Sequence, residues 1–174
     1  MTTTRPVIGQ GVARPLYTAE ERVRRDQSPW TLVQGILAPV QFLALLVSLG
    51  LIARFFMTGE GLFAANVSIV VKTLLLYTIM ITGSIWEKVV FGKWLFADAF
   101  FWEDVFSMLV LALHTAYLVC LFTGTLGPAG LMILALCAYG AYAINATQFI
   151  LKLRAARLGA AQADREARVQ GRAA

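Results

Sequence analysis

The stretch FFWEDVFSMLVLALHTAYLVCLF, residues 100–122, places two adjacent acids, Glu103 and Asp104, at the start of a long apolar run. A helix of roughly 20 residues crosses a hydrocarbon core of about 30 Å, so this run is long enough to span a membrane. Ionisable side chains are costly inside a membrane helix and usually mark a functional site. The two acids are therefore the most informative residues of the run.

The whole chain has the composition of an integral membrane protein. Of its 174 residues, 59% are hydrophobic and 14% are charged, and the mean hydropathy is +0.70, which is more apolar than a soluble domain. We predict an all-α, polytopic membrane protein with a four-helix transmembrane bundle. The predicted spans are 30–56, 64–86, 100–122 and 130–153, between an N-terminal segment 1–29 and a basic tail 154–174.

The N-terminal segment contains no apolar stretch, so we expect no cleavable secretion signal and a first span that itself directs insertion. Thr18 and Glu21 have the spacing of a capping box for a short amphipathic helix over EERVRRDQ. Ser28 followed by Pro29 predicts an N-cap and the first residue of the first long helix. The tail after Leu158 is expected to be either a helical extension or disordered.

The lysines and arginines predict the orientation, because they are retained on the cytoplasmic side of a membrane. They cluster before the first span, between the second and third spans at Lys88 and Lys93, and after the fourth span. The loop TGTLGPAG, residues 123–130, has none. Both termini are therefore predicted to be cytoplasmic. Attraction to anionic lipid accounts for the net charge of +5, so no nucleic-acid partner is expected.

Polar residues of all four spans fall at one depth, about one turn inside the cytoplasmic interface. With about 1.5 Å of rise per residue, Glu103 and Asp104 lie level with residues 82–84 of the antiparallel neighbour. The predicted layer contains Gln34, Glu103, Asp104, Ser107, Asn145 and Gln148, and Glu87 closes it from the water side. Alternatively, the two acids are first-turn residues favoured by the helix dipole and wetted by headgroup water, and both interpretations stay open.

Lys72 and His114 form a deeper predicted level. Glu103, Ser107 and His114 share one helical face, because seven and eleven residues are close to whole numbers of turns. Two alternatives stay open: Lys72 can snorkel toward the outer interface, and His114 can be a neutral imidazole that is hydrogen-bonded across helices. Cys120 and Cys137 are predicted to be packing residues rather than a disulfide.

Long stretches of the chain resemble one enzyme family. They are YTAEERVRRDQSPWTLVQGILAPVQFL, SIVVKTLLLYTIMITGSIWEKVVFGKWLF, AFFWEDVFSMLVLALHTAYL and INATQFILKLRAARL. These stretches closely resemble the 3-vinyl (bacterio)chlorophyllide hydratases of bacteriochlorophyll biosynthesis, called 2-vinyl in the older ring numbering. The resemblance covers about residues 16–158, and ungapped matches of this length are much more specific than a short motif.

The resemblance implies a hydro-lyase that adds water to the vinyl group on ring A of a magnesium chlorin, 3-vinyl chlorophyllide a or bacteriochlorophyllide. Such a reaction needs an acid, a base and groups that face the developing cation. We predict Glu103 as the acid, with Asp104 or Glu87 orienting the water. The candidate substrate-binding residues are Gln34, Lys72, Trp102, Ser107, His114, Asn145 and Gln148. His114 is also a candidate axial ligand of the substrate's magnesium, and no cofactor of the protein's own is expected.

Two other functional classes stay open. A non-catalytic pigment carrier or assembly factor would use His114 but would not need Glu103. A proton-coupled transporter would fit the buried Lys72, but four spans without inverted repeats disfavour it. The resemblance implies a multi-pass protein of a bacterial cytoplasmic or intracytoplasmic photosynthetic membrane. Its expected partners are the lipid bilayer, with other enzymes of the pathway and a second copy of the chain as further candidates.

Overall fold

The computed structural model describes residues 16–173, so residues 1–15 of the predicted N-terminal segment lie outside the described part. Over this range the chain forms five helices, which confirms the all-α prediction. They are α1 (Ala19–Gln27), α2 (Pro29–Thr58), α3 (Leu62–Phe91), α4 (Phe101–Thr123) and α5 (Pro128–Ala173). Helices α2 to α5 are long and apolar enough to cross a membrane, and the predicted spans match them to within one residue or lie inside them.

The helix starts follow from local side-chain chemistry. Before α1, the Thr18 hydroxyl accepts a hydrogen bond from the Glu21 backbone N–H at 3.2 Å, and the Glu21 carboxylate accepts one from the Thr18 N–H at 2.7 Å. Before α2, the Ser28 hydroxyl accepts from the Trp30 N–H at 3.3 Å, with Pro29 as the first helical residue. The predicted capping box and N-cap are both confirmed.

Glycines end three of the long helices. Gly59, Gly92 and Gly124 follow α2, α3 and α4 with φ angles of 73°, 79° and 67°, a left-handed conformation that glycine adopts without a Cβ clash. Only short segments, residues 59–61 and 124–127, then separate α2 from α3 and α4 from α5. The chain therefore makes two helical hairpins, α2–α3 and α4–α5.

The helices of each hairpin pack together over much of their length. The two hairpins meet through smaller contacts, between α3 and α4 and between α2 and α5. The main apolar core lies among all four helices and includes Ile52, Ile69, Tyr117 and Met132. The main apolar core therefore lies where the two hairpins meet.

Helix α5 continues well beyond the predicted span 130–153. Its 46 residues are about 69 Å long, against a hydrocarbon core of about 30 Å. Alanine and arginine are strong helix formers, which explains why the helix outlasts its apolar pattern. For the described residues, the helical-extension alternative for the tail is correct. Cys120 and Cys137 are free thiols.

An aromatic cluster covers one end of the bundle. It consists of Tyr17, Trp86, Phe91, Phe100 and Phe149, with Tyr17 stacked on Phe91 at 5.7 Å between ring centroids and Phe100 on Phe149 at the same distance. Tyr17 precedes α1, which packs on α3. The segment before α2 thus folds back over the end of the bundle where α3 stops and α4 begins.

Candidate functional site

Backbone N–H groups of the loop between α3 and α4 bind two carboxyl groups, one from each of these helices. The Asp104 carboxyl accepts a hydrogen bond from the Phe96 N–H at 2.9 Å, and the Glu87 carboxyl accepts one from the Ala97 N–H at 3.2 Å. Phe96 has φ 58°, an uncommon conformation for a residue with a side chain. The loop therefore adopts a strained turn that presents successive backbone donors to acids from two helices.

The carboxyl groups of Glu87 and Asp104 are close neighbours that interact with each other. Both side chains are buried, with 5% and 3% of the residue exposed. Glu87 belongs to the first hairpin and Asp104 to the second, so the two acids meet at the junction of the hairpins.

Glu103 is ion-paired rather than paired with another acid. Its carboxylate forms an ion pair with the Lys152 ammonium of α5 at 2.5 Å. The Ser107 hydroxyl donates to the Glu103 carbonyl at 2.9 Å, and the Asn145 amide donates to the Ser107 hydroxyl at 2.7 Å. Glu103, Ser107 and Asn145, which were predicted to share a layer, are therefore joined by direct contacts.

Two acceptor atoms at the same end of α5 lack partners. Asn145 Oδ1 and Gln148 Oε1 are buried, and neither accepts a hydrogen bond from any described residue. Buried polar atoms in proteins are nearly always bonded, so this pair of oxygens suits a water molecule or a substrate hydroxyl. We use the name acidic layer for Glu87, Glu103, Asp104, Ser107, Asn145, Gln148 and Lys152.

A second group of polar residues, the deep cluster, lies farther along the bundle. It takes one or two side chains from each long helix: Gln41, Lys72, His114, Tyr139 and Tyr142. The Lys72 ammonium donates to Gln41 Oε1 at 3.1 Å and lies 3.7 Å from the centre of the Tyr142 ring. The Lys72 ammonium lies 5.4 Å from the centre of the Tyr139 ring, and the centres of the His114 and Tyr139 rings are 5.8 Å apart. Lys72 is 0% exposed, so it points into the bundle instead of snorkelling.

The hydrogen bonding of His114 defines which ring nitrogen is free. Nδ1 lies 2.8 Å from the Val110 carbonyl, and because a carbonyl only accepts, Nδ1 carries the proton and the neutral ring has its lone pair on Nε2. Nε2 is buried and has no hydrogen-bond partner within residues 16–173. Metal-bound histidines commonly have this arrangement, in which the second nitrogen donates to a carbonyl. The ring is bonded within its own helix and not across helices.

Two of the predicted substrate-binding residues belong neither to the acidic layer nor to the deep cluster. The Gln34 amide donates to the Thr82 hydroxyl at 2.8 Å, so it joins α2 to α3 within the first hairpin. Trp102 is 73% exposed and lies on the outside of α4. The structure therefore groups the three acids with Ser107 and Asn145, with Gln148 on the same face of α5 as Asn145, and places Lys72 with His114.

Sequence reasoning missed Lys152 and Gln41 as site residues. Lys152 was counted only toward charge, although its spacing of seven from Asn145 and four from Gln148 puts all three on one face of a helix. Gln41 lies seven residues after Gln34 and seven before Ser48, which is again one face. Tyr139 and Tyr142 gave no signal, because tyrosine in an apolar helix is not distinctive.

Comparison with known proteins identifies the family. Residues 17–155 match the model of the 2-vinyl bacteriochlorophyllide hydratase family. A 2-vinyl bacteriochlorophyllide hydratase of Rhodobacter capsulatus is 66% identical over 152 residues, covering 87% of this chain and 88% of the relative. One of Cereibacter sphaeroides is 65% identical over 146 residues, covering 83% and 90%. No solved structure matches. With this coverage and identity, the chain belongs to the 2-vinyl bacteriochlorophyllide hydratase family.

Proposed function

We propose that this chain adds water to the vinyl group of a bacteriochlorophyllide, and that the chemistry takes place at the acidic layer. Family membership makes the chain a hydratase, and thus a hydro-lyase. The observation that carries the location is the buried carboxyl pair of Glu87 and Asp104 at the junction of the hairpins. It supplies a proton in an apolar setting, where a pigment dissolved in the membrane can meet it.

In this proposal the two acids share one proton, because neighbouring like charges disfavour the ionisation of both groups, and the vinyl group receives that proton. Its transfer to the terminal CH2 leaves positive charge on the carbon next to the macrocycle, where conjugation spreads the charge over the ring. Glu87 and Asp104 are then both anionic and face this cation. Preorganised negative groups of this kind stabilise a transition state without reorganisation.

A water molecule then attacks the cationic carbon and gives the 1-hydroxyethyl product. Asn145 Oδ1 and Gln148 Oε1 are free to accept from that water, and Glu103 takes the proton that it loses. Glu103 is proposed as the base because its carboxylate pairs with the Lys152 ammonium and not with another acid. The geometry thus favours Glu87 and Asp104 as the acid, whereas the sequence suggested Glu103.

We place the magnesium of the substrate on His114 Nε2. Ser107 lies seven residues from His114, about 10 Å of rise, and the vinyl group is only a few bonds from the metal. A macrocycle bound at His114 thus extends to the level of Ser107 and Asn145. The acids lie one turn beyond that level, and one bridging water passes their proton to the vinyl group. In this proposal the protein has no cofactor of its own, since the magnesium belongs to the substrate.

The reaction is tested with membranes that contain the chain. They are incubated with a 3-vinyl chlorophyllide, and the pigment is analysed by mass spectrometry for a product heavier by one water. Membranes with the Glu87→Gln, Asp104→Asn double variant are the matched control and should give no product above background. Pigment that binds to the wild-type chain but is recovered unaltered would instead support a carrier.

The proposed setting is a bacterial cytoplasmic or intracytoplasmic photosynthetic membrane, with both termini and the α3–α4 loop on the cytoplasmic side. The positions of the lysines and arginines support this orientation. Other enzymes of the pathway and a second copy of the chain are the candidate partners there. A cysteine placed near Thr125 should react with an impermeant reagent from the periplasmic side, and one near Lys93 should not. The reverse labelling pattern would invert the proposed orientation.

A further inference from the structure

The ammonium of Lys72 is fully buried in the bundle and lacks a counter-charge. Among the residues that the structure describes, no carboxylate lies within 4.0 Å of it. The face of Tyr142 and the Gln41 carbonyl oxygen offset part of the cost of burial. An unpaired charge inside a membrane helix is still expensive, and such residues commonly line a site for a ligand or an ion.

The surroundings of this ammonium offer more donors than acceptors. Lys72 has three N–H donors. Within residues 16–173 the Lys72 side chain makes one hydrogen bond, which Gln41 Oε1 accepts. Gln41 Nε2 is buried and has no partner in the same part of the chain. The two side chains together therefore suit a group that is negatively charged and accepts several hydrogen bonds. A carboxylate has both properties, and charge-assisted bonds to it are the strong ones.

We infer that Lys72 and Gln41 bind the free carboxylate of the substrate. This inference rests on the proposed function and names a specificity determinant of the same site. A chlorophyllide carries a carboxylic acid where a chlorophyll carries a long-chain ester, so the contact would select the unesterified pigment. His114 and Lys72 both lie against the Tyr139 ring. A macrocycle whose magnesium is on His114 Nε2 therefore brings its acid arm, the substituent that carries the carboxylate, to the ammonium of Lys72.

The two ends of the site then fix the direction of the macrocycle. The acidic layer contains three carboxyl side chains against one lysine, which disfavours a substrate carboxylate there. The deep cluster contains a cation and no carboxylate among its members. The acid arm therefore points to the deep cluster, and the vinyl group on a different part of the ring points to the acidic layer.

The first test uses the wild-type protein and a non-reactive ligand. A magnesium chlorin with an ethyl group in place of the vinyl group is prepared as the free acid and as its methyl ester, and both are titrated by absorption. The free acid should bind at least about tenfold more tightly, as expected for hydrogen bonds to a charged group. Equal affinities would overturn the inference without any need for a variant.

The second test locates the discrimination. Lys72→Met keeps the length of the side chain without the charge, and it should weaken binding of the acid by about tenfold while leaving binding of the ester unchanged. Gln41→Leu should reduce the preference to a smaller extent. Lys93→Met is the matched control, because Lys93 is exposed and pairs with Asp98 in a loop, and it should keep the wild-type preference. Equal weakening of acid and ester by Lys72→Met would make Lys72 structural and refute its role.

Parallel hydration assays with the vinyl substrate separate this inference from the proposed function. Hydration by a wild-type chain that binds acid and ester equally would refute only the carboxylate site. A preference for the acid without any hydrated product would refute the proposed reaction and leave the carboxylate site standing.

Discussion

The acidic layer and the deep cluster bury charge in opposite ways. In the acidic layer each carboxyl group has a partner within the protein: Glu87 with Asp104, and Glu103 with Lys152. In the deep cluster Lys72 has no anionic partner, and Gln41 Nε2 and His114 Nε2 are unbonded within the described residues. The charges of the first region are paired without a ligand, and its carboxyl groups are suited to moving protons. The second region needs a ligand to pair the charge of Lys72 and to bond the two free nitrogens.

The largest effect is expected from removing the shared proton. The Glu87→Gln, Asp104→Asn double variant keeps the shapes of both side chains but has no acidic proton, so turnover should fall by about 10³-fold, within the range for a lost general acid. Initial rates of product formation measure the change, and titration should show that pigment binding survives. Asp98→Asn, on an exposed loop, is the control. A double variant that turns over at a near wild-type rate would make the acidic layer structural.

A somewhat smaller effect is expected from Glu103→Gln. The amide keeps hydrogen-bonding capacity but cannot take a proton from water, and the rate of hydration should fall by about 10²-fold. Rates are measured under the same conditions as for the double variant. If Glu103→Gln is slower than the double variant, Glu103 regains the role of acid that the sequence suggested, and the paired acids take the supporting role.

His114→Ala examines the deep cluster in the same way. Losing the axial ligand should weaken pigment binding about tenfold, in line with the loss of a group that tunes a metal site, and should shift the absorption of the bound pigment. The variant should still be folded and extractable from the membrane. An unchanged spectrum and affinity would place the magnesium elsewhere and leave His114 as a packing residue.

The smallest effect is expected from Tyr139→Phe, which separates the hydroxyl of this residue from its ring. The hydroxyl lies 2.6 Å from the Ser48 hydroxyl, and losing such a bond in a membrane protein costs about 0.6 kcal/mol of unfolding free energy. Denaturation in micelles measures the loss, and Ser48→Ala should cost more, because it also removes the acceptor of the hydrogen bond that the Ser68 hydroxyl donates at 2.9 Å. The ring remains beside Lys72 and His114, so pigment binding should be unchanged. A large loss of binding would give the hydroxyl a role in the site.

The sequence predicts features that neighbouring residues determine. The start of α2 depends on Ser28 and Pro29 alone, and the start of α1 on Thr18 and Glu21, so both were found from spacing. The shared face of Glu103, Ser107 and His114 was found because helical periodicity fixes it, and all three are buried. Local chemistry and helix geometry were sufficient for these parts of the fold and of the candidate site.

Contacts between helices could not be predicted, because they depend on how each helix is rotated about its axis. Gln34 has the depth of the acidic layer, yet it bonds to Thr82 of the adjacent helix. Lys152 pairs with Glu103 across 49 positions of sequence, and only the packing of α5 on α4 decides that. The length of α5 was also open, since its apolar pattern stops before the helix does.

The arrangement in two hairpins also determines when the site comes into existence. Glu87 and Lys72 belong to the first hairpin, and Asp104 and His114 to the second. Membrane helices insert before they associate, so each hairpin can form while holding only half of both polar regions. The carboxyl pair and the opposed Lys72 and His114 then arise in a single docking event. If the proposed site is correct, a chain stalled before that event can neither protonate a pigment nor retain one, and catalytic competence is acquired at the last stage of assembly.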